Sequence, residues 1–347
     1  MPPAPIRRPA TVIVWLVLCT AGLLLGPLVL LAGAIATALT GRPQPLLLAR
    51  FLIAYFAREL GVLLACGALW LASGFGLRMR SPRFQRLHNG LLRWFVHGLA
   101  SRALELLRVE LSPHPSPEAM MALGRDRPLL LFSRHAGPGD TVLLVDMLLD
   151  RYGRHASVVF KQTLAIDPSV DLISHRLPHA VLDTSDREGC AERIAEVAAH
   201  LRPRGVLLLF PEGGNFTPER RRRALRKLWR KGRRRQARAG ERMAHVMPPH
   251  PTGALAALKG NPDADVIFSA HTGLGLAAFP RELWRNTPIG RTLKTRMWLV
   301  PSNERPQEED EQIRWLYDWW ERLDRWVAEQ GEERTVEPAP YPATNTE

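Results

Sequence analysis

The chain has 347 residues, with 47 Lys or Arg against 34 Asp or Glu, a formal net charge of +13 and 46% hydrophobic residues. That length allows one large domain with additions or two smaller ones, and basic charge held in local clusters points to nucleic acid or anionic lipid as a partner. The three cysteines, Cys19, Cys66 and Cys190, have neither disulfide-framework nor metal-ligand spacing, which excludes a cysteine-stapled design and predicts free thiols in a reducing compartment.

The first element is apolar. From Pro9 to Gly41 there is no charged residue, a run longer than the roughly 20 residues that cross a bilayer. Arg7 and Arg8 could open a signal peptide, but its apolar core would far exceed the usual length of about 7–15 residues. A second uncharged run, Leu60 to Leu77, leads straight into Arg78, Arg80, Arg83 and Arg86. Cations flank membrane segments on the cytoplasmic side, so residues 1–80 read as a membrane hairpin with both ends, and the domain that follows, at the cytoplasmic face. Arg42, Arg50 and Arg58 in the connection between the two runs argue against full crossing. A hairpin dipping into one leaflet satisfies both observations.

Residues 81–117 read as a helical connector, with "LLRWFVHGLASRALELL" at helical apolar spacing and "SPHPSPE" (112–118) as a break and domain boundary. From 118 to 305 short apolar runs alternate with helical ones. The strands are expected at 128–133, 157–161, 179–183, 205–210, 265–271 and 296–300, with a helix at 188–202. That alternation predicts an α/β domain whose sheet is mostly parallel and flanked by helices. Residues 306–330 form an amphipathic helix on the spacing Ile313, Leu316, Trp320, Leu323, Val327. Its tryptophans are expected to pack on the domain rather than reach lipid headgroups. Residues 331–347 read as a disordered tail.

Two stretches carry chemistry. In "SRHAGPGDTVLL" (133–144) a strand ends, Gly137-Pro138-Gly139 turns, and a helix begins at Asp140. The turn can bring His135 and Asp140 together, because glycine allows positive φ and proline fixes its own φ. An imidazole is a natural general base near neutral pH, and a carboxylate on its other nitrogen fixes the tautomer and the charge. No serine or cysteine stands in a nucleophile elbow, so the base would act on a substrate hydroxyl. The competing reading is an N-terminal helix cap at Asp140 with a solvated histidine nearby. In "GVLLLFPEGGNF" (205–216) a buried strand runs into Pro211-Glu212-Gly213-Gly214 at its carboxyl end. Ligands of α/β sheets bind at that edge, and glycine amides approach phosphates closely. A plain strand-to-helix turn would look the same.

Together, "RHAGPGD" and "FPEGG" behind an apolar N-terminus resemble the glycerolipid acyltransferase family, which includes the 1-acylglycerol-3-phosphate acyltransferases. His135 and Asp140 match its H-x4-D pair, and Phe210 to Gly213 match its F-P-E-G. "KQTLAIDP" (161–168) is similar to a Lys-x-x-Leu block, and "HVMPPHPTGALAAL" (245–258) to a fourth block with its proline and glycine. The resemblance implies that His135 deprotonates a lipid hydroxyl and Asp140 orients the ring. The oxygen then attacks the thioester of acyl-CoA or acyl carrier protein, with no acyl-enzyme, metal or cofactor. Lys161, Phe210, Pro211, Glu212, Gly213 and Gly214 are the implied substrate-binding residues, with Glu212 and the two glycine amides seating the acceptor. The implied partners are a bilayer with anionic lipid, the acyl donor and a lysophospholipid.

Several positions depart from the family pattern. Arg134 replaces an asparagine, and Thr184, Asn215 and His250 stand where the family has arginines that would bind the acceptor phosphate. Arg134, Arg187 or the run at 220–223 are candidates to replace them. Between Arg220 and Arg242 there are 13 Lys or Arg and one Glu. This run can face an anionic bilayer, grip the donor's phosphates, or be solvated or bind nucleic acid. Only Trp229 interleaves an aromatic, which argues against single-stranded nucleic acid. The sequence therefore reads as a membrane-attached O-acyltransferase, with 1-acylglycerol-3-phosphate as first acceptor and another lysophospholipid or a glycolipid as second. A membrane-anchored basic binding protein without activity is the reading from a different class.

Overall fold

The computed structural model describes residues 4–183, 186–273 and 287–331. The expected tail beyond 331 lies outside them. The α/β expectation holds: seven strands form one sheet. They are β1 (Glu110–Pro115), β2 (Leu129–Ser133), β3 (His155–Lys161), β4 (Ala180–Leu182), β5 (Gly205–Leu209), β6 (Asp265–Thr272) and β7 (Thr292–Val300), in the order β1-β7-β6-β2-β5-β3-β4. Every neighbouring pair is parallel except β6 and β7.

Helices cover both faces, which is why the central strands are apolar without alternation. Leu130 and Phe132 of β2 point into one core, with α8 (Arg187–Ala199), α11 (Pro251–Gly260) and α12 (Glu309–Glu329). Leu129 and Leu131 point into the other, with α4 (Pro82–Leu107), α5 (Pro117–Gly124), α6 (Pro138–Asp146) and α7 (Pro168–Arg176). The tryptophans of α12 do pack on the domain: Trp320 is fully buried, and Trp319 stacks on Phe268 with centroids 4.5 Å apart.

Two features differ from the sequence reading. The stretch 112–118, read as a break, supplies most of β1 and the start of α5. β1 is an edge strand that pairs only with β7 among the described strands, so Pro113 and Pro115 are tolerated there. The first apolar run is also two helices, α1 (Ala4–Leu24) and α2 (Gly26–Thr40), separated at Leu25 just before Pro27. Proline lacks the N–H that a continuous helix needs.

The second arm starts earlier than expected. Helix α3 (Gln44–Ala72) holds Arg50 and Arg58 within it rather than in a connection, and the turn itself is only 41–43. Its first half runs back along α1 and α2. A Cβ at Gly22 would enter the Phe56 ring, one at Gly26 would meet Ile53, and one at Gly33 would lie 3.0 Å from Ala49. Small residues let these helices close on each other. The second half docks on the sheet domain, with Val62 and Cys66 in the core shared with α4.

A polar seam fixes the helices to α7. Arg7 and Arg8 each reach the buried Asp171 carboxylate at 3.0 Å. The Tyr55 hydroxyl donates to Asp167 at 2.7 Å, and the Ser169 hydroxyl donates to Glu59 at 2.6 Å. Removing one partner of a buried ion pair strands the other charges, at a cost of roughly 3 kcal/mol or more. Asp171→Ala should therefore lower the thermal midpoint and expose residues 4–24 to limited proteolysis. An unchanged cleavage pattern would mean that apolar packing alone holds α1.

Candidate active site

Strands β2, β3, β4, β5 and β6 all end on one edge of the sheet. Ser133 of β2 pairs in register with Ser269 of β6, so His135 comes level with His271. Asp140 enters from α6, where it is the third residue of the helix.

His135 Nδ1 lies 3.0 Å from both carboxylate oxygens of Asp140. Asp140 Oδ2 also accepts the N–H of Ala136 at 2.8 Å and of Gly137 at 3.1 Å. One carboxylate thus serves both the helix start, from the third helical position rather than the N-cap, and the imidazole. On the far side His271 Nε2 approaches Oδ2 at 3.4 Å. Burial alone would push this carboxyl up. The hydrogen bonds and charge of His135 and His271 outweigh burial and hold it well below the usual carboxylate range. An ionised carboxylate only accepts, so the His135 nitrogen that faces Asp140 is the donor and Nε2 is the one turned away from it.

The F-P-E-G-G-N-F segment grips His135 on its remaining sides. The imidazole stacks on Phe210 with centroids 4.3 Å apart. Its backbone N–H donates to Glu212 Oε1 at 3.4 Å, and its carbonyl accepts the Phe216 N–H at 2.8 Å. Glu212 Oε2 also accepts the Met247 N–H at 3.4 Å. Burial pushes the Glu212 carboxyl up to about 8, against the opposing charge of Arg134 and the two backbone donors. Gly213 turns the chain at φ +69°, with the His250 ring 3.2 Å from where a Cβ would sit. A side chain there would be strained on both counts.

In front of His135 lies a cavity of about 600 Å³. Lys161, Phe210, Pro211, Gly213 and Gly214, the residues the resemblance implies for substrate binding, line it. Its apolar wall includes Val159, Phe160, Leu182, Ile194 and Leu209, and its basic wall is Arg220, Lys227, Lys231 and Arg233. Glu212 does not line it. Expected to seat the acceptor, it lies 1% exposed beneath His135 and holds backbone instead.

The substituted positions also separate. Asn215 and His250 line the cavity, whereas Thr184 lies outside the described residues, as does the Arg187 side chain. Arg134 is fully buried, donating to the carbonyls of His271 at 2.5 Å and His245 at 3.1 Å. Arg221 is likewise turned inward onto the carbonyls of Met243, Gly240 and Glu241. Neither guanidinium points to the cavity, so among the described candidates Arg220 is the one that lines it. His271 was not found from sequence; only the parallel register of β2 and β6 brings it to Asp140.

Residues 112–248 match the family model described as Acyltransferase. The chain carries a domain of the glycerolipid acyltransferase family. No curated protein matches the chain. The acyltransferase match contains His135, Asp140 and the F-P-E-G segment, and stops before β6, so His271 is outside it.

The depressed Asp140 titration makes a stability prediction. Its ionised form is favoured on folding, so the stabilisation is complete above the ordinary carboxylate value of 3.8 and is lost as pH falls below it. Denaturant unfolding of Asp140→Asn should show a deficit of about 1–3 kcal/mol at pH 7 that shrinks towards pH 3. A deficit independent of pH would place the loss in packing rather than charge.

Proposed function

We propose that this acyltransferase moves a fatty acyl group from acyl-CoA or acyl carrier protein to the free hydroxyl of 1-acylglycerol-3-phosphate, giving phosphatidic acid. The observation that carries this reading is the His135–Asp140 contact, with His135 lining a cavity that has one apolar and one cationic wall. Nε2 takes the hydroxyl proton as the oxygen bonds to the thioester carbon. Asp140 stabilises the imidazolium that forms. The tetrahedral intermediate collapses, the C–S bond breaks, and the proton passes from Nε2 to the leaving sulfur. No residue of the chain is acylated.

Membrane attachment belongs to the same proposal. Helices α1 and α3 are long and apolar enough to cross a bilayer. Ile13, Val14, Val17, Leu28, Leu31 and Leu39 are all more than half exposed, a surface that soluble monomers rarely carry. The returning arm from Tyr55 to Gln44 spans about 17 Å at the α-helical rise, roughly half of a hydrocarbon core about 30 Å thick. That supports a hairpin seated in one leaflet. Arg7 and Arg8 start α1 beside Asp171 of the domain, which supports a start of α1 and an active site on the same side. That side is proposed to be cytoplasmic. The solvent-facing Arg234, Arg235 and Arg238 of α10 (Arg234–Arg242) supply charge for an anionic surface, worth about 1 kcal/mol per well-placed cation.

The test is acyl transfer by purified protein in anionic vesicles, from labelled acyl-CoA, to lysophosphatidic acid, other lysophospholipids and a glycolipid. His135→Ala should lower transfer by about 10³-fold or more and leave vesicle association unchanged. His271→Ala should lower kcat by about tenfold through a looser Asp140 and leave KM in place. Transfer only to another acceptor would redirect the pathway. No transfer to any of them, with acyl carrier protein also tried as donor carrier, would leave a membrane-bound basic binding protein.

A further inference from the structure

Thr184, Asn215 and His250 stand where the resemblance implies phosphate-binding arginines, yet the cavity has a wall of Arg220, Lys227, Lys231 and Arg233. The basic run splits by helical phase. In α9 (Pro218–Arg230), residues Arg220, Ala224, Lys227 and Leu228 face the cavity, and Lys231 and Arg233 continue that wall. Arg221 is buried on carbonyls, and Arg222, Arg223 and Arg226 are exposed to solvent.

Arg220 comes back to the place that lacks an arginine. Its Nη1 donates to the Asn215 carbonyl at 3.1 Å and would sit 3.5 Å from a Cβ on Gly214. The next residue, Phe216, donates its N–H to the carbonyl of His135. The Arg220 guanidinium is therefore held on the loop that grips the base. At the α-helical rise, Lys227 lies about 10 Å and Lys231 about 16 Å further along the axis.

We propose that the inner face of α9 is a graded phosphate-binding wall, in which Arg220 takes the acceptor's phosphate and Lys227 with Lys231 takes the phosphates of the acyl donor. This rests on the acyl-transfer reading above. The chemistry of the two substrates fixes the order. In a 1-acylglycerol-3-phosphate the reacting hydroxyl is on the carbon next to the one that carries the phosphate. Its anion must lie close to His135, where the planar fork of an arginine suits a phosphate bidentately. In CoA the whole pantetheine arm separates the thioester sulfur from the nearest phosphate. That anion must lie far from His135, where lysines act as mobile point charges. Arg220 does the work of the missing residue at Asn215 from five positions later in the chain, folded back by the first turn of α9.

Binding should be titrated calorimetrically in the His135→Ala background, so that no turnover is needed. The probes are a short-chain lysophosphatidic acid, the matching monoacylglycerol and CoA, in nonionic detergent. Arg220→Gln should weaken lysophosphatidic acid by about tenfold or more and leave CoA and monoacylglycerol unchanged, with Arg220→Lys intermediate. Lys227→Gln/Lys231→Gln should weaken CoA by about tenfold and leave lysophosphatidic acid unchanged. Arg223→Gln/Arg226→Gln, on the outer face, should move neither. Thermal midpoints equal to the parent's establish that the variants are folded. Unchanged lysophosphatidic acid binding by a folded Arg220→Gln protein overturns the assignment, as do equal losses of both ligands in both inner-face variants. If the parent binds both ligands but the His135-intact chain transfers nothing, the acyl-transfer reading fails and the binding wall stands. If the parent binds neither, both fall.

Discussion

A carboxylate removed from water has to be given donors, and the site is organised around that requirement at Asp140. Its two oxygens receive the His135 imidazole, the N–H groups of Ala136 and Gly137, and the approach of His271. Those donors explain the spacing of the motif. His135 must stand just past the end of β2 to reach the sheet edge. Asp140 must be the third residue of α6 to accept the N–H groups that a helix start leaves unpaired. The link at 134–137 and the first three residues of α6, Pro138, Gly139 and Asp140, give a separation of five. The helix cap and the imidazole contact thus share one carboxylate, and a change that weakens either weakens both.

The second motif works largely from behind. Phe210, Glu212 and Phe216 hold the ring, the N–H and the carbonyl of His135. Arg134 lies buried beside Glu212 and ties the end of β6 to His245. The same loop is held from the other side by Asp324 of α12, which accepts the N–H groups of His245 and Val246. The tryptophan-rich helix therefore acts on the site without entering it. It fixes the loop at 245–249, which in turn holds Glu212 through Met247.

How much of this could be read in the sequence depends on whether the signal is local. β2 and β5 were legible because burial on both faces leaves nothing but apolar residues. His135, Asp140 and the F-P-E-G segment were legible because turn chemistry and motif spacing are short-range. β1 was hidden because an edge strand tolerates Pro113 and Pro115 and carries no apolar run. His271 was hidden because its partner lies 131 positions earlier (271 − 140) and is brought to it only by sheet order. Glu212 was placed in the right segment with the wrong orientation, since nothing local says which side of a turn faces solvent.

The basic run shows why composition misleads about charge. Its 13 cations read as one property and invite one explanation. A helix turns each successive side chain by about 100°, so neighbours in sequence face different surroundings. Arg221 becomes a structural donor to three carbonyls, Arg220 and Lys227 become cavity wall, and Arg222 and Arg226 become solvent surface. The same reasoning applies at the other end of the chain. Arg7 and Arg8 look like a topogenic signal, but both are committed to the buried Asp171. They hold the apolar helices against the domain as much as they face any membrane. Net charge sets the long-range field, and phase decides what each cation does within it.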